Sequence, residues 1–224
     1  MLLTGLMTLL SARVGLAQVP PGPDELRAYA GLHGTAARGD TIEMRRLLAA
    51  RADPDARDGH GRTPLHVAAF GAQAEAMRTL VAGGADPNAL DAQRYDIVTI
   101  AAVKDDVPTL RLALALGASP RNVTSPYDGT ALIAAAHLGH VEVVRILVEV
   151  GAPLDHVNNL GWTALLEAVI LGDGGPRHVA VLRTLVEAGA AVDLADRQGV
   201  TPLAHARARG FVEMVRILEE ARRH

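Results

Sequence analysis

Apolar positions along the chain fall into short runs with helical spacing. Leu65, Ala68 and Ala69 share one face of a short segment, and Met77, Leu80 and Val81 share one face of the next. Small and polar residues separate the two. Neither run is long enough to hold a helix by itself, so each stripe has to be covered by a neighbour. The pattern therefore predicts pairs of short helices packed through their apolar faces. Alanine on the first member lets its partner approach closely. Thr63 followed by Pro64 marks where a first helix starts, the hydroxyl serving as N-cap and the proline filling a position whose N–H needs no partner. Thr201 and Pro202 repeat the device.

The pairs themselves recur. Leu47, Leu80, Ala113, Leu147, Leu185 and Leu218 fall into register at successive gaps of 33, 33, 34, 38 and 33 residues. A turn rich in small residues follows the first five, as RADPD (51–55), GADPN (84–88), GASPR (117–121), GAPLD (151–155) and GAAVD (189–193). Gly84 suits the left-handed conformation that ends a helix, and Arg51 stands in its place in the first copy. A period near 33 residues is the signature of a stacked array.

With TPLH at 63–66, DGTALIAAAHLGHVEVVRILVEVGA at 128–152 and DRQGVTPL at 196–203, the chain resembles the ankyrin repeat family over nearly everything after Leu26. The resemblance implies an all-α solenoid of about six stacked helix-turn-helix units with projecting β-hairpin-like loops. It also implies non-catalytic binding of a protein on a concave face, through the loop tips and the ends of the first helices. Carried onto this chain, those positions are His60, Arg62 and Phe70 in the second unit and Tyr95 and Lys104 in the third. Tyr127, His137 and Leu138 follow in the fourth, and Leu160, Trp162, Ile170 and Leu171 in the fifth. The single Trp and two of the three Tyr are among them, and aromatic side chains commonly anchor interfaces. Packing at helix ends and loop bases is the competing explanation for the same residues.

Departures from the period are informative. The third unit has Asp96 and Ile97 where Thr-Pro stands elsewhere, and aspartate caps as well as threonine. Pro108 lies near the start of its second helix. The fifth unit is five residues longer than the period, and the insertion falls within Gly172 to His178, expected to be a flexible loop. Asp173 and His178 in that loop make a small-molecule or metal receptor the alternative function, although one carboxylate and one imidazole fall short of a coordination set. No cofactor is expected.

Composition narrows the function classes. Hydrophobic residues make up 49% of the 224 and charged residues 21%, enough for a sizeable core. A formal charge of −3 with interspersed signs offers no basic stripe for nucleic acid. Cysteine is absent, which removes thiol chemistry. Nine histidines invite a catalytic reading, but no HExxH occurs and no Ser, His and acid spacing stands out. His66 and His140 fit structural positions of the repeat. An enzyme is not expected.

The first residues, MLLTGLMTLLSARVGLAQ, read as an export signal. Leu2 to Leu10 are apolar but too few for a bilayer, which takes about 20 residues, and Gly15 and Ala17 place small residues before Gln18. The competing reading is an N-terminal helix packed on the domain. Residues 1–17 are thus expected to be removed, 18–25 (QVPPGPDE) to form a stiff spacer, and 26–224 to form the repeat domain of a periplasmic or secreted monomer without membrane insertion, a cytoplasmic location being the alternative.

Overall fold

The computed structural model describes residues 18–223. After a short α1 (Pro23–Ala28), twelve helices form six antiparallel pairs. They are α2 (Gly31–Arg38) with α3 (Thr41–Ala49), α4 (Pro64–Phe70) with α5 (Ala74–Ala82), and α6 (Ile97–Val103) with α7 (Val107–Ala115). The chain continues with α8 (Ala131–Leu138) and α9 (Val141–Glu149), α10 (Ala164–Ile170) and α11 (Pro176–Glu187), and α12 (Pro202–Ala208) and α13 (Val212–Ala221). First members pack side by side in chain order, and second members lie against them. One continuous apolar cluster runs from Leu32 to Leu218. Leu80, Ala113, Leu147, Leu185 and Leu218 are fully buried in it, and Leu47 at the first unit is half-buried.

Each first helix from α4 onward starts on the side chain that its sequence supplies. Thr63, Asp96, Thr130, Thr163 and Thr201 accept from the backbone N–H three residues on, at 2.8 to 3.4 Å. Asp96 makes the shortest of these bonds. The drift away from Thr-Pro in the third unit leaves its cap intact.

The other ends of these helices show how the units are tied together. Lys104 Nζ reaches the Phe70 carbonyl at 2.6 Å, and His140 Nδ1 the Ala102 carbonyl at 2.8 Å. Arg177 Nε reaches Gly139 at 3.0 Å, and Arg209 Nη1 reaches Ile170 at 2.5 Å. Each donor comes from the following unit and lands on the C-terminus of the preceding first helix. The last carbonyls of α4, α6, α8 and α10 have no partner within their own helices, and this end of the helix dipole favours positive charge. Stack contact and helix termination are thus one interaction.

The loops overturn one expectation. Among the described residues there is no β-strand, and the β-type pairing is a single bridge between Thr124 and Gly129, so the projecting β-hairpin-like loops do not form. The chain instead wraps around an Asp or Asn. The N–H groups of Asp58, Asp91, Asn158 and Asp196 bond the carbonyl four residues on. Their side-chain oxygens take the N–H groups two and four residues on. A side chain thus occupies the amides that a second rung would need, and the loop closes as a turn. Successive loop tips are joined by isolated backbone bonds, such as Asn159 N–H to the Tyr127 carbonyl at 2.8 Å, with side-chain bonds beside them.

Residues 18–25, read from sequence as a spacer, are held against the first two units. Pro23 begins α1, and the segment is fastened through Arg62.

Candidate functional site

The residues picked out along the sequence separate into an interior set and a surface set. Arg62, at the second loop, is fully buried. Its Nε bonds Asp58 at 2.7 Å, its Nη2 Glu25 at 2.6 Å and its Nη1 the Val19 carbonyl at 3.0 Å. Tyr29 donates its hydroxyl to the same Asp58 carboxylate at 2.5 Å. Burial works against charge on Asp58, but the Tyr29 hydroxyl, the guanidinium and two backbone amides outweigh it and hold the carboxyl down to about 2. The hydroxyl of Tyr29 is raised by burial and by that bond. Arg62 is therefore the pin of the N-terminal segment.

Tyr95 and Trp162 occupy the same loop position as Arg62, four residues after the wrapping Asp91 and Asn158. They are 6% and 9% exposed, so their rings pack under the loops. Burial pushes the Tyr95 phenol up to about 12. Its carbonyl accepts from His66 Nε2 at 3.0 Å, while His66 Nδ1 accepts from the Thr63 N–H and hydroxyl. Both ring nitrogens are thereby satisfied in the neutral form, and burial lowers the His66 pKa.

The surface set follows the ends of the first helices and the loop tips. Phe70, Tyr127, Leu160, Ile170 and Leu171 are half-buried, and His60, Lys104 and Leu138 are exposed. His60 Nε2 lies 3.2 Å from Glu25. Phe70, His137 and Ile170 occupy equivalent positions seven residues after their caps, and Lys104, Leu138 and Leu171 the positions next to these. An apolar strip interrupted by His137 and Lys104 therefore runs across units two to five.

His137 is backed by a residue that the sequence reading passed over. Its Nδ1 lies 3.1 Å from Glu167 Oε2, and the other Glu167 oxygen accepts from Asn158 Nδ2 at 2.9 Å. Glu167 is 4% exposed. Its counterparts in the earlier units are Val67, Ile100 and Ala134, so a carboxylate in that register was the available signal. His205 occupies the next copy of the position and bonds Asp196 at 2.7 Å. These pairs fix ring orientation and supply no nucleophile. Among the described residues no group of three or more His, Cys, Asp or Glu side chains converges to hold a metal ion, and no helix is long and apolar enough to cross a membrane.

Stacked helix pairs with a laterally continuous surface define a helical-repeat scaffold. A family model for ankyrin repeats (3 copies) matches residues 16–91 and 98–196, and the chain belongs to that family. An ankyrin repeat domain from Acinetobacter baumannii AYE, ABAYE2397, is 43% identical with a TM-score of 0.79 over 85% of this chain and 96% of that one. The ankyrin repeat protein EF0377 is 31% identical, with a TM-score of 0.77 over 84% and 96% of the two chains. The ankyrin repeat protein YahD of Escherichia coli K12 is 34% identical over 98 residues, 43% of this chain and 49% of that relative. That alignment spans about half of the relative's length. Ankyrin-repeat domains are non-catalytic protein-interaction modules, and this chain is built as one.

Proposed function

We propose that the chain is an exported adaptor or inhibitor that grips a folded protein along the concave side of the stack, across units two to five. The observation that carries this reading is the strip of half-buried and exposed apolar side chains at Phe70, Leu138, Ile170 and Leu171, with Tyr127 and Leu160 at neighbouring loop tips. The core is complete without their outer surfaces. Rigid apolar anchors with a polar rim suit protein recognition. The periplasmic location rests on the apolar leader-like run and the small residues before Gln18.

The test uses the full-length protein expressed in its native host. N-terminal sequencing of the purified protein should begin near Gln18, and an intact Met1 on a cytosolic product overturns the export reading. Capture from the envelope fraction should yield a complex of defined stoichiometry that a Tyr127→Ala, Leu138→Ala, Leu171→Ala variant loses by at least about tenfold in affinity. Equal affinity in a variant with a native helical spectrum overturns the proposed surface.

A further inference from the structure

The insertion in the fifth unit, Gly172 to His178, is fastened on both sides. Towards the fourth unit, His178 Nε2 lies 3.0 Å from the His137 carbonyl and Arg177 Nε 3.0 Å from the Gly139 carbonyl. Towards the sixth, Arg209 Nη2 donates to the Gly172 carbonyl at 2.9 Å, and Gly174 lies so close to the Phe211 ring that a Cβ there would come within 2.4 Å of it. The imidazole of His178 is seated between two glycines. A Cβ on Gly139 would come within 3.2 Å of the ring, and one on Gly172 within 2.8 Å of the ring and 2.1 Å of the Ala168 carbonyl. The ring is 13% exposed, so the insertion is a fitted element.

The chemistry of that seat is unusual among the described histidines. A carbonyl only accepts, so Nε2 carries a proton. Nδ1 lies 2.9 Å from Asp173 Oδ1, another group that only accepts when ionised. His178 therefore needs protons on both nitrogens. His66 has an acceptor on one side and donors on the other. His33, His60, His137, His140, His156 and His205 each bring one ring nitrogen to an acceptor at 3.2 Å or less, which a neutral tautomer satisfies.

We infer that His178 and Asp173 form a proton-operated latch that holds the insertion closed at acid pH and loosens it as the imidazole loses its second proton. In the neutral ring, with Nε2 committed to the His137 carbonyl, Nδ1 presents a lone pair to the carboxylate. Only the limiting 3.5 Å contact from the Asp173 N–H then remains. The closed form holds one more proton than the open form, so acid favours closure by linkage. The charged groups around the latch are few. Asp173 faces the ring, and its carboxyl is held low by the Gly175 amide and by His178. Arg177 and His140 share Asp105 at 3.8 and 3.9 Å, Arg209 covers Gly172 from the sixth unit, and the His137 ring turns away to Glu167. The latch adjoins Leu138 and Leu171 through Gly139 and Gly172. Its effect on partner access rests on the surface proposed above, but its titration does not.

Nuclear magnetic resonance of the isolated protein tests it. Imidazole nitrogen spectra of His178 and backbone amide shifts of Gly172, Gly174 and Gly175 are followed from pH 5 to 8.5. At pH 5.5 both ring nitrogens should be protonated, and the loop amides should move with the ring through one common midpoint. Asp173→Asn, whose amide can donate to a bare Nδ1 as well as accept from a protonated one, should uncouple the loop amides from the ring. His178→Gln should make the loop amides independent of pH over this range while the helical spectrum stays native. A ring neutral at pH 5.5 overturns the latch, as do loop amides that ignore the ring's titration. Should the latch titrate as expected while partner affinity is the same at pH 5.5 and 8, the latch stands and its link to the surface falls.

Discussion

Arg62 shows how much one side chain can organise in a chain with few aromatics. It is a fully buried cation whose three nitrogens each have an acceptor, and two of those acceptors belong to the N-terminal segment. Breaking such a group by removing one partner leaves buried charge behind. Arg62→Met should therefore cost about 3 to 5 kcal/mol in urea unfolding. A loss typical of surface sites, under about 0.5 kcal/mol, would show that the segment is not pinned through it. The same cluster sets the acid limit. Asp58 titrates near about 2 in the fold against 3.8 for an unperturbed aspartate. As pH falls through 3.8 the unfolded chain takes up a proton before the folded one does, so the contribution is complete above about pH 4. It is lost as pH falls towards about 2, and Arg62→Met should move the acid midpoint upward. A different residue carries strain. Arg51 has φ +64, a region that Gly84, Gly117, Gly151 and Gly189 fill in the other units. Arg51→Gly should raise stability by up to about 1 kcal/mol, read from the thermal midpoint, since the left-handed penalty on a side chain is about 1 to 2 kcal/mol and glycine's chain entropy takes back part.

The pairs of helices were legible in the sequence because two signals agree from the second copy on. Apolar residues recur at helical spacing, and a capping residue stands before each first helix from α4 on. What escaped the reading lies at the joints. The Asp and Asn residues that start four of the loops suit either a hairpin or a closed turn, and only the bonds to their side chains from the amides two and four residues on decide it. Tyr95 and Trp162 read as surface anchors because residue type does not reveal which loop covers it. Glu167 was visible as a carboxylate in an apolar register, but its partners His137 and Asn158 come from other elements. The donors on helix ends belong to the same class of contact, made between units. Lys104→Met should keep the stem and remove the cation from the α4 terminus, costing about 1 kcal/mol. Hydrogen exchange should then rise first at the last amides of α4. Unchanged exchange there would assign Lys104 to the solvent.

At the scale of the molecule, the helices of each unit pack on those of its neighbours, with only the long Arg177–Asp105 pair at 3.8 Å reaching past one among the described residues, so stability is close to the sum of units and of the interfaces between them. Such an array unfolds together only while no interface is much weaker than the rest. Trp162 provides a local reporter, since it is the single tryptophan, lies in the fifth unit and is 9% exposed. Far-ultraviolet circular dichroism reports all thirteen described helices. In the intact protein the apolar cluster is continuous from end to end, and the two signals should share one urea transition. Leu185, fully buried on α11, is a core contact of that same unit. Leu185→Ala should cost about 2 to 5 kcal/mol through lost burial and the cavity left behind. Because the loss is confined to units four to six, fluorescence should change at lower urea than the helical signal, leaving the Arg62-pinned units folded between the two midpoints. Leu80→Ala, on α5 in the second unit, should not bring the Trp162 transition ahead of the helical one. Coincident transitions in the Leu185 variant would mean that the stack is a single cooperative unit rather than a chain of nearest-neighbour contacts.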